Sequence, residues 1–230
     1  MDLQLKSNFK LIHITKWMIL AMILIIPIQI AIFMIIPMPE SALEWLELFR
    51  EHALMGLFHM DILYILNNTF LVFFYVVLYI TLKNKDNSLL NIALLTGIIG
   101  AILYYASNRS IEMLYLSHRF FETNDSVLRT SYLATAEGYL DLWKGTSFNI
   151  YYVLSAISLI LFSLVMLKHT FYTRATSISG LISGFLMIIP SSVGTIGLIF
   201  SLLSLIPWIV FSILVFIRLA KVNRADIGLI

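Results

Sequence analysis

Six stretches of this chain are long and apolar enough to cross a lipid bilayer, and the basic residues between them alternate from side to side. A helix traverses the roughly 30 Å hydrocarbon layer in about 20 residues at about 1.5 Å per residue. Residues 17–36, 62–82, 89–105, 147–167, 177–189 and 196–219 are read as the spans, the first interrupted only by Pro27 and Gln29 and the fifth the shortest. The expected fold is all-α: a polytopic transmembrane helix bundle of six spans, forming one domain over 1–230. Proline is tolerable in such a helix because neighbouring helices can satisfy the carbonyl it frees. Trp17 fits an interfacial anchor, whereas Trp208, deep in the last span, reads as packing.

Composition supports the same solvent. Of 230 residues, 60% are hydrophobic and 12% charged, about half the charged fraction of an ordinary soluble domain. The net charge of +2 and the lack of a dense basic run give nucleic acid nothing to track. Cysteine is absent, which excludes disulfides, thiolate metal ligands and a cysteine nucleophile together. No cofactor is implied.

The first span reads as a retained helix and not a signal peptide. Its apolar region is too long, and Pro37-Met38-Pro39-Glu40 offers no small-x-small cleavage site. Orientation follows from the basic residues. Lys6, Lys10, Lys16, Lys83, Lys85, Lys168, Arg174, Arg218, Lys221 and Arg224 fall on one face of a six-span arrangement. Among short connections on the other face only Arg50 is basic; Arg109, Arg119, Arg129 and Lys144 lie there in a long loop mixed with acids. Both termini are therefore expected to be cytoplasmic, in a cell membrane.

Two segments on the outer face are more than turns. Ser41-Ala42-Leu43-Glu44 forms a capping box, predicting an outer amphipathic helix over 41–54 that bends near Gly56 into the second span. Leu43, Leu46, Phe49 and Leu54 are assigned to its apolar side, with Trp45 nearby; Glu40, Glu44, Glu47 and Glu51 form a solvated stripe opposite. Over 109–143 a second pair of helices is expected. Ile111, Leu114, Tyr115, His118 and Phe121 mark one face, and Leu128, Tyr132, Thr135 or Ala136, Tyr139 and Trp143 the next, capped by Asn124 or Asp125. Together they read as a lid over the outer mouth.

The runs Ala106-Ser107-Asn108-Arg109 and Ile111-Glu112-Met113-Leu114, then Gly145-Thr146-Ser147-Phe148-Asn149 with Tyr152-Val153-Leu154, carry a resemblance. So do Ser163-Leu164-Val165-Met166-Leu167, Phe171, Gly180 and Pro190. With them the chain resembles a family of bacterial and archaeal integral membrane proteins defined as a domain of unknown function. The resemblance implies six membrane helices with a helical insertion between the third and fourth, and no catalytic or binding residues.

Chemistry is sought where polar groups are forced into the membrane, since an ionisable side chain there is costly. Asp61, Asn68 and Tyr75 recur every seven residues, with Tyr64 and Tyr79 near the same face, so this stripe should turn inward. Asn67 lies about 100° round the helix and should bond a neighbour. Asn149 heads a polar side of the fourth span that includes Tyr151, Ser155 and Ser158. Asp61, Tyr64, Asn68, Tyr75 and Asn149 are thus the candidate ligand-binding residues. His52, His59 and His118 are weak candidate metal ligands: His52 and His59 project opposite Asp61 on a continuous helix, and no H-E-x-x-H or G-x-S-x-G motif is present.

Gly180 and Gly184, flanked by Ser177, Ser179 and Ser183, suit close approach of a helix-packing partner, as do Ala93, Gly97 and Ala101. The break from Pro190 to Gly197 is either a tight turn or a set of amides for an anion. The halves share no matching pattern, so internal duplication is unsupported. Three function classes remain, with lipid as the common partner. A small-ligand binding or transport protein would line a cavity under the lid; a metal-dependent membrane hydrolase would bring its histidines to acids; an assembly subunit would expose its glycine-serine stripe. The first alone gives both the polar stripe and the lid a task.

Overall fold

A computed structural model describes residues 3–35, 37–83 and 88–223. Ile36, Lys85 and Arg224, used above for the first span and the basic face, lie outside these residues, as does the side chain of Lys6. The described chain is helical: α1 (Leu3–Ile35), α2 (Ala42–Glu51), α3 (Ala53–His59), α4 (Ile62–Leu82), α5 (Ser88–Ser107), α6 (Ser110–Glu122), α7 (Ser126–Trp143), α8 (Thr146–Leu167), α9 (Arg174–Leu186) and α10 (Gly194–Ala220). Five of these, α1, α4, α5, α8 and α10, are long and apolar enough to cross a membrane. The fifth apolar stretch forms α9, of only 13 residues, followed by non-helical chain from Met187 to Val193. Pro190 lacks an amide donor and disfavours helix in the residue before it, which ends α9 early.

Two separate cores hold the molecule. The larger gathers Phe74, Tyr75, Leu78, Phe162, Phe211 and Val215 with Ile12, Ile19 and Met22 of α1. The smaller gathers Trp45, Leu46, Phe49, Met113, Phe120 and Trp143, joining α2, α3, α6 and α7 into a cap over one end of the bundle.

Close approach of α5 to α8 explains the small residues of α5. A Cβ on Gly97 would stand 2.5 Å from the Tyr75 ring and 2.7 Å from the Ser158 hydroxyl, and Ser158 Oγ donates to the Ala93 carbonyl at 2.7 Å. The Gly180 and Gly184 face is likewise occupied within the chain. Gly180 abuts Ser163 and Phe211, and Gly184 abuts Ile160 and the Ala156 carbonyl. That stripe packs on α8 and α10, so it is not the exposed surface an assembly subunit would require.

At the end opposite the cap, Arg218 Nε donates to the Phe171 carbonyl at 2.6 Å. Thr81 and Tyr172 share a hydroxyl hydrogen bond at 2.9 Å, and Trp17 meets Phe216 edge to face. These contacts bring the middle of α1, the ends of α4 and α10 and the α8–α9 turn together.

The cap corrects two helical phases. Ser41 Oγ accepts from the Glu44 amide at 3.3 Å, while the Glu44 carboxylate accepts from the Glu40 amide at 2.8 Å, one residue before the expected cap position. Glu40, Glu44, Glu47 and Glu51 are all exposed. Ala42, Trp45, Leu46 and Phe49 are buried, but Leu43 and Leu54 are exposed. The helix stops at Glu51, His52 separates it from α3, and so one phase cannot reach Leu54. In α6 the buried face is Met113, Leu116, Ser117 and Phe120, leaving Ile111 and Tyr115 outside. Ser117 supplies the reason: its hydroxyl donates to the Leu46 carbonyl at 2.6 Å and rotates that face onto α2. Asp125 caps α7 through the Val127 and Leu128 amides.

Candidate functional site under the cap

The second apolar stretch does not join the collar as one bent helix. The chain breaks at Met60 and Asp61, where Asp61 holds φ 62°, a left-handed conformation that carboxylate and amide residues tolerate better than most. A break at this depth frees carbonyls, and unpaired ones are costly. The Phe58 and Asp61 carbonyls accept from the Asp61 and Tyr64 amides, and the Phe58, Met60 and Asp61 carbonyls each have a side-chain donor from another helix or connection. Gln29 Nε2 donates to the Phe58 carbonyl at 2.8 Å, Asn108 Nδ2 to Met60 at 2.9 Å, and the Tyr104 hydroxyl to Asp61 at 3.2 Å. Asn108 Oδ1 in turn accepts from the Ser110 amide and hydroxyl at 3.1 and 2.6 Å. Relieved of capping duty, the Asp61 side chain does not bond the first turn of α4.

It faces a cavity of about 360 Å³ enclosed by α1, α4, α5, α8, α10 and the C-terminal end of α7. Along α4 the wall is Tyr64, Asn67, Leu71 and Tyr75, a helical repeat. Asp61, Tyr64 and Tyr75 therefore line the cavity. Asn68 does not. It is buried beside the wall, its Nδ2 bonded to the Tyr64 carbonyl at 2.9 Å, and Asn67 takes the facing position. Asp61 precedes α4 in a left-handed conformation, outside the helical repeat that turns Asn67 to the cavity, and Asn68 Oδ1 is buried without a hydrogen-bond partner.

Asn149 stands behind the wall. Its Nδ2 donates to the Gly145 carbonyl at 2.8 Å and its Oδ1 accepts from Ser192 Oγ at 2.5 Å; Ser192 itself lines the cavity. The Pro190–Gly197 segment is a tight turn, with Val193 N donating to the Pro190 carbonyl at 3.0 Å. Non-helical backbone at membrane depth is tolerated where it lines a cavity, and Ser191 and Ser192 do so here.

Gln29, Tyr104 and Tyr152 also line the wall, beyond the residues expected from the sequence. Gln29 carried a signal, as an amide inside an otherwise apolar span. It is 1% exposed, and its Oε1 has no hydrogen-bond partner. Tyr104 and Tyr152 carried none, because which face of α5 and α8 meets the cavity is set by packing.

The Asp61 carboxyl lies just outside the α4 span, and its pKa is pushed up to about 7 by burial, opposed by the Lys144 ammonium and a hydrogen bond from the Trp143 indole. Among the described residues the ion pair within reach is Arg109–Glu112 at 3.0 Å, so Asp61 is not held in a salt bridge. The histidines do not converge. His52 and His118 are exposed, whereas His59 is buried, its Nδ1 3.0 Å from the Met55 carbonyl and its ring edge-on to Phe33 and Trp45. Among the described residues no cluster of three or more His, Asp or Glu side chains could hold a metal ion.

No curated protein and no solved structure matches the chain. One family model, described as a domain of unknown function (DUF4386), matches residues 16–221. That match spans the cap, the cavity wall and most of α1, and the chain accordingly belongs to the DUF4386 family of unknown function.

Proposed function

We propose that this protein binds or transports a small molecule held in the cavity beneath the cap. In this reading it is a multi-pass protein of the cell membrane, with both termini in the cytoplasm and the cap outside. The orientation rests on the basic residues: Lys10, Lys16, Lys83, Lys168, Arg174, Arg218 and Lys221 all belong to the end opposite the cap.

The observation that carries the reading is the Asp61 side chain. Most polar groups of the bundle bond their own helix, as Thr69 and Thr96 do through carbonyls four residues back. Asp61 instead sits at a helix break whose carbonyls are satisfied by donors from other segments, and its carboxyl is left to the cavity. A volume of about 360 Å³ falls in the range of small-molecule sites. A buried carboxyl without a salt bridge, set at the mouth of a membrane span, is a marker of a ligand or ion path.

A thermal-shift screen of the detergent-purified protein against small metabolites and lipids tests this. A true ligand at a hundred times its Kd should add about 2.7 kcal/mol to stability. Asp61→Asn should weaken that ligand about tenfold or more, since a hydrogen bond to a charged group contributes about 1.5–3 kcal/mol. An identical response from wild type and Asp61→Asn to every stabilising compound would remove Asp61 from the site.

A further inference from the structure

We propose that the ligand is a membrane amphiphile with an ammonium-bearing head, its head taken up by Asp61 and Gln29 and its chain emerging between α1 and α10. This rests on the cavity-binding reading and names the class of molecule that fills it.

The head group follows from what the polar wall lacks. The Phe58 carbonyl can only accept, so the Gln29 amide must present its nitrogen there and turn Oε1 the other way. That oxygen is a buried acceptor without a donor, in a side chain that borders the cavity. Asp61 adds a carboxyl that no salt bridge occupies among the described residues. Two acceptors in one cavity call for a donor-rich cation, and the rings of Phe33, Tyr64, Tyr104 and Trp143 around them suit one electrostatically. An anionic head would meet the carboxyl. Lys144, at the rim with its ammonium 4.7 Å from the Trp143 ring centroid, matches the phosphate that joins such an amine to a lipid chain.

The chain follows from where the wall is thin and greasy. On α1 and α10 the cavity is lined by Ile30, Leu198 and Leu202, which remain 41%, 53% and 52% exposed. The polar residues opposite, Tyr104, Tyr151 and Ser155, are buried. Farther from the cap the two helices do close, through Trp17 against Phe216 and a shared core of Ile12, Met22, Phe211 and Val215. Pro27 and Pro207 stand inside α1 and α10, at matching depth when counted from that ring contact. Each removes a helix hydrogen bond where the pair turns from mutual contact to lining the cavity. A gap flanked by leucine and isoleucine faces acyl chains, not water.

Native mass spectrometry from a nonionic detergent decides the matter, with three probes: lysophosphatidylethanolamine, lysophosphatidylglycerol, and chainless phosphoethanolamine. The expected result is one bound lysophosphatidylethanolamine, at least about tenfold tighter than either other probe. Asp61→Asn and Leu202→Trp should each weaken it about tenfold, whereas Ile199→Trp, on the same helix but off the cavity wall, should not. Should Asp61→Asn fail to fold, the two tryptophan variants decide alone. Equal binding of the glycerol lipid overturns the cationic head, and equal binding of phosphoethanolamine overturns uptake from the bilayer. Either leaves a cavity that binds a different ligand. If no probe binds and a broad screen also finds nothing sensitive to Leu202→Trp, both this inference and the cavity-binding function fail.

Discussion

Asp61 concentrates the chemistry of the molecule in one carboxyl. Burial raises its pKa from 3.8 to about 7, against the Lys144 charge and the Trp143 indole; the phenols of Tyr64 and Tyr104 and the amide of Gln29 share the cavity wall. A group that binds its proton more tightly folded than unfolded stabilises the fold below its unfolded pKa and surrenders that stabilisation as pH rises through the folded one. The ligand-free protein should therefore lose thermal stability as pH rises from about 4 to about 7, and Asp61→Asn should flatten that decline. The difference between wild type and variant is the quantity to read. A decline of equal size in both would assign it to another group. At this scale the sequence was half legible. An aspartate and tyrosines in an apolar stretch announce themselves by cost, and Asp61, Tyr64 and Tyr75 do line the cavity. Asn68 and Asn149 stand one layer behind the wall, because the packing of α4 and the contact with Ser192 lie beyond the reach of helical counting.

Helices were legible in their existence and less so in their rotation. The long spans required only apolar length, so α4, α5, α8 and α10 begin and end within a few residues of their predicted limits. Rotation in α2 and α6 was misjudged because both sides of a cap helix carry apolar residues; a single serine hydroxyl on the Leu46 carbonyl sets the angle. Small residues are where rotation matters most. Gly97→Ala should cost about 1–3 kcal/mol, because the added methyl meets a Tyr75 ring that cannot retreat. That ring lies stacked on Phe162 at 5.7 Å between centroids. Gly138→Ala, within α7 where a Cβ would meet nothing within 4 Å, should instead gain about 0.5–1 kcal/mol from lost unfolded-chain freedom. Thermal or denaturant unfolding in one detergent compares the two directly. A neutral Gly97→Ala would mean that α5 and α8 are not held by close approach.

For the molecule as a whole, the natural absence of cysteine offers a clean test of orientation. Glu47→Cys, on the exposed stripe of the cap, should react with a membrane-impermeant maleimide added to intact cells. Lys168→Cys, at the opposite end, should react only after permeabilisation. The reverse pattern would put the cap and its cavity in the cytoplasm. The two-core architecture also bears on how the protein comes to be made. Trp45, Leu46 and Phe49 precede the first long span after α1, whereas their partners Met113, Phe120 and Trp143 follow α5. A growing polypeptide must thus thread three apolar segments into the lipid before its aromatic collar can find the surface that shelters it. Until α7 leaves the ribosome, that collar stays bare, and quality-control factors that recognise exposed tryptophan and phenylalanine have their opportunity in that interval.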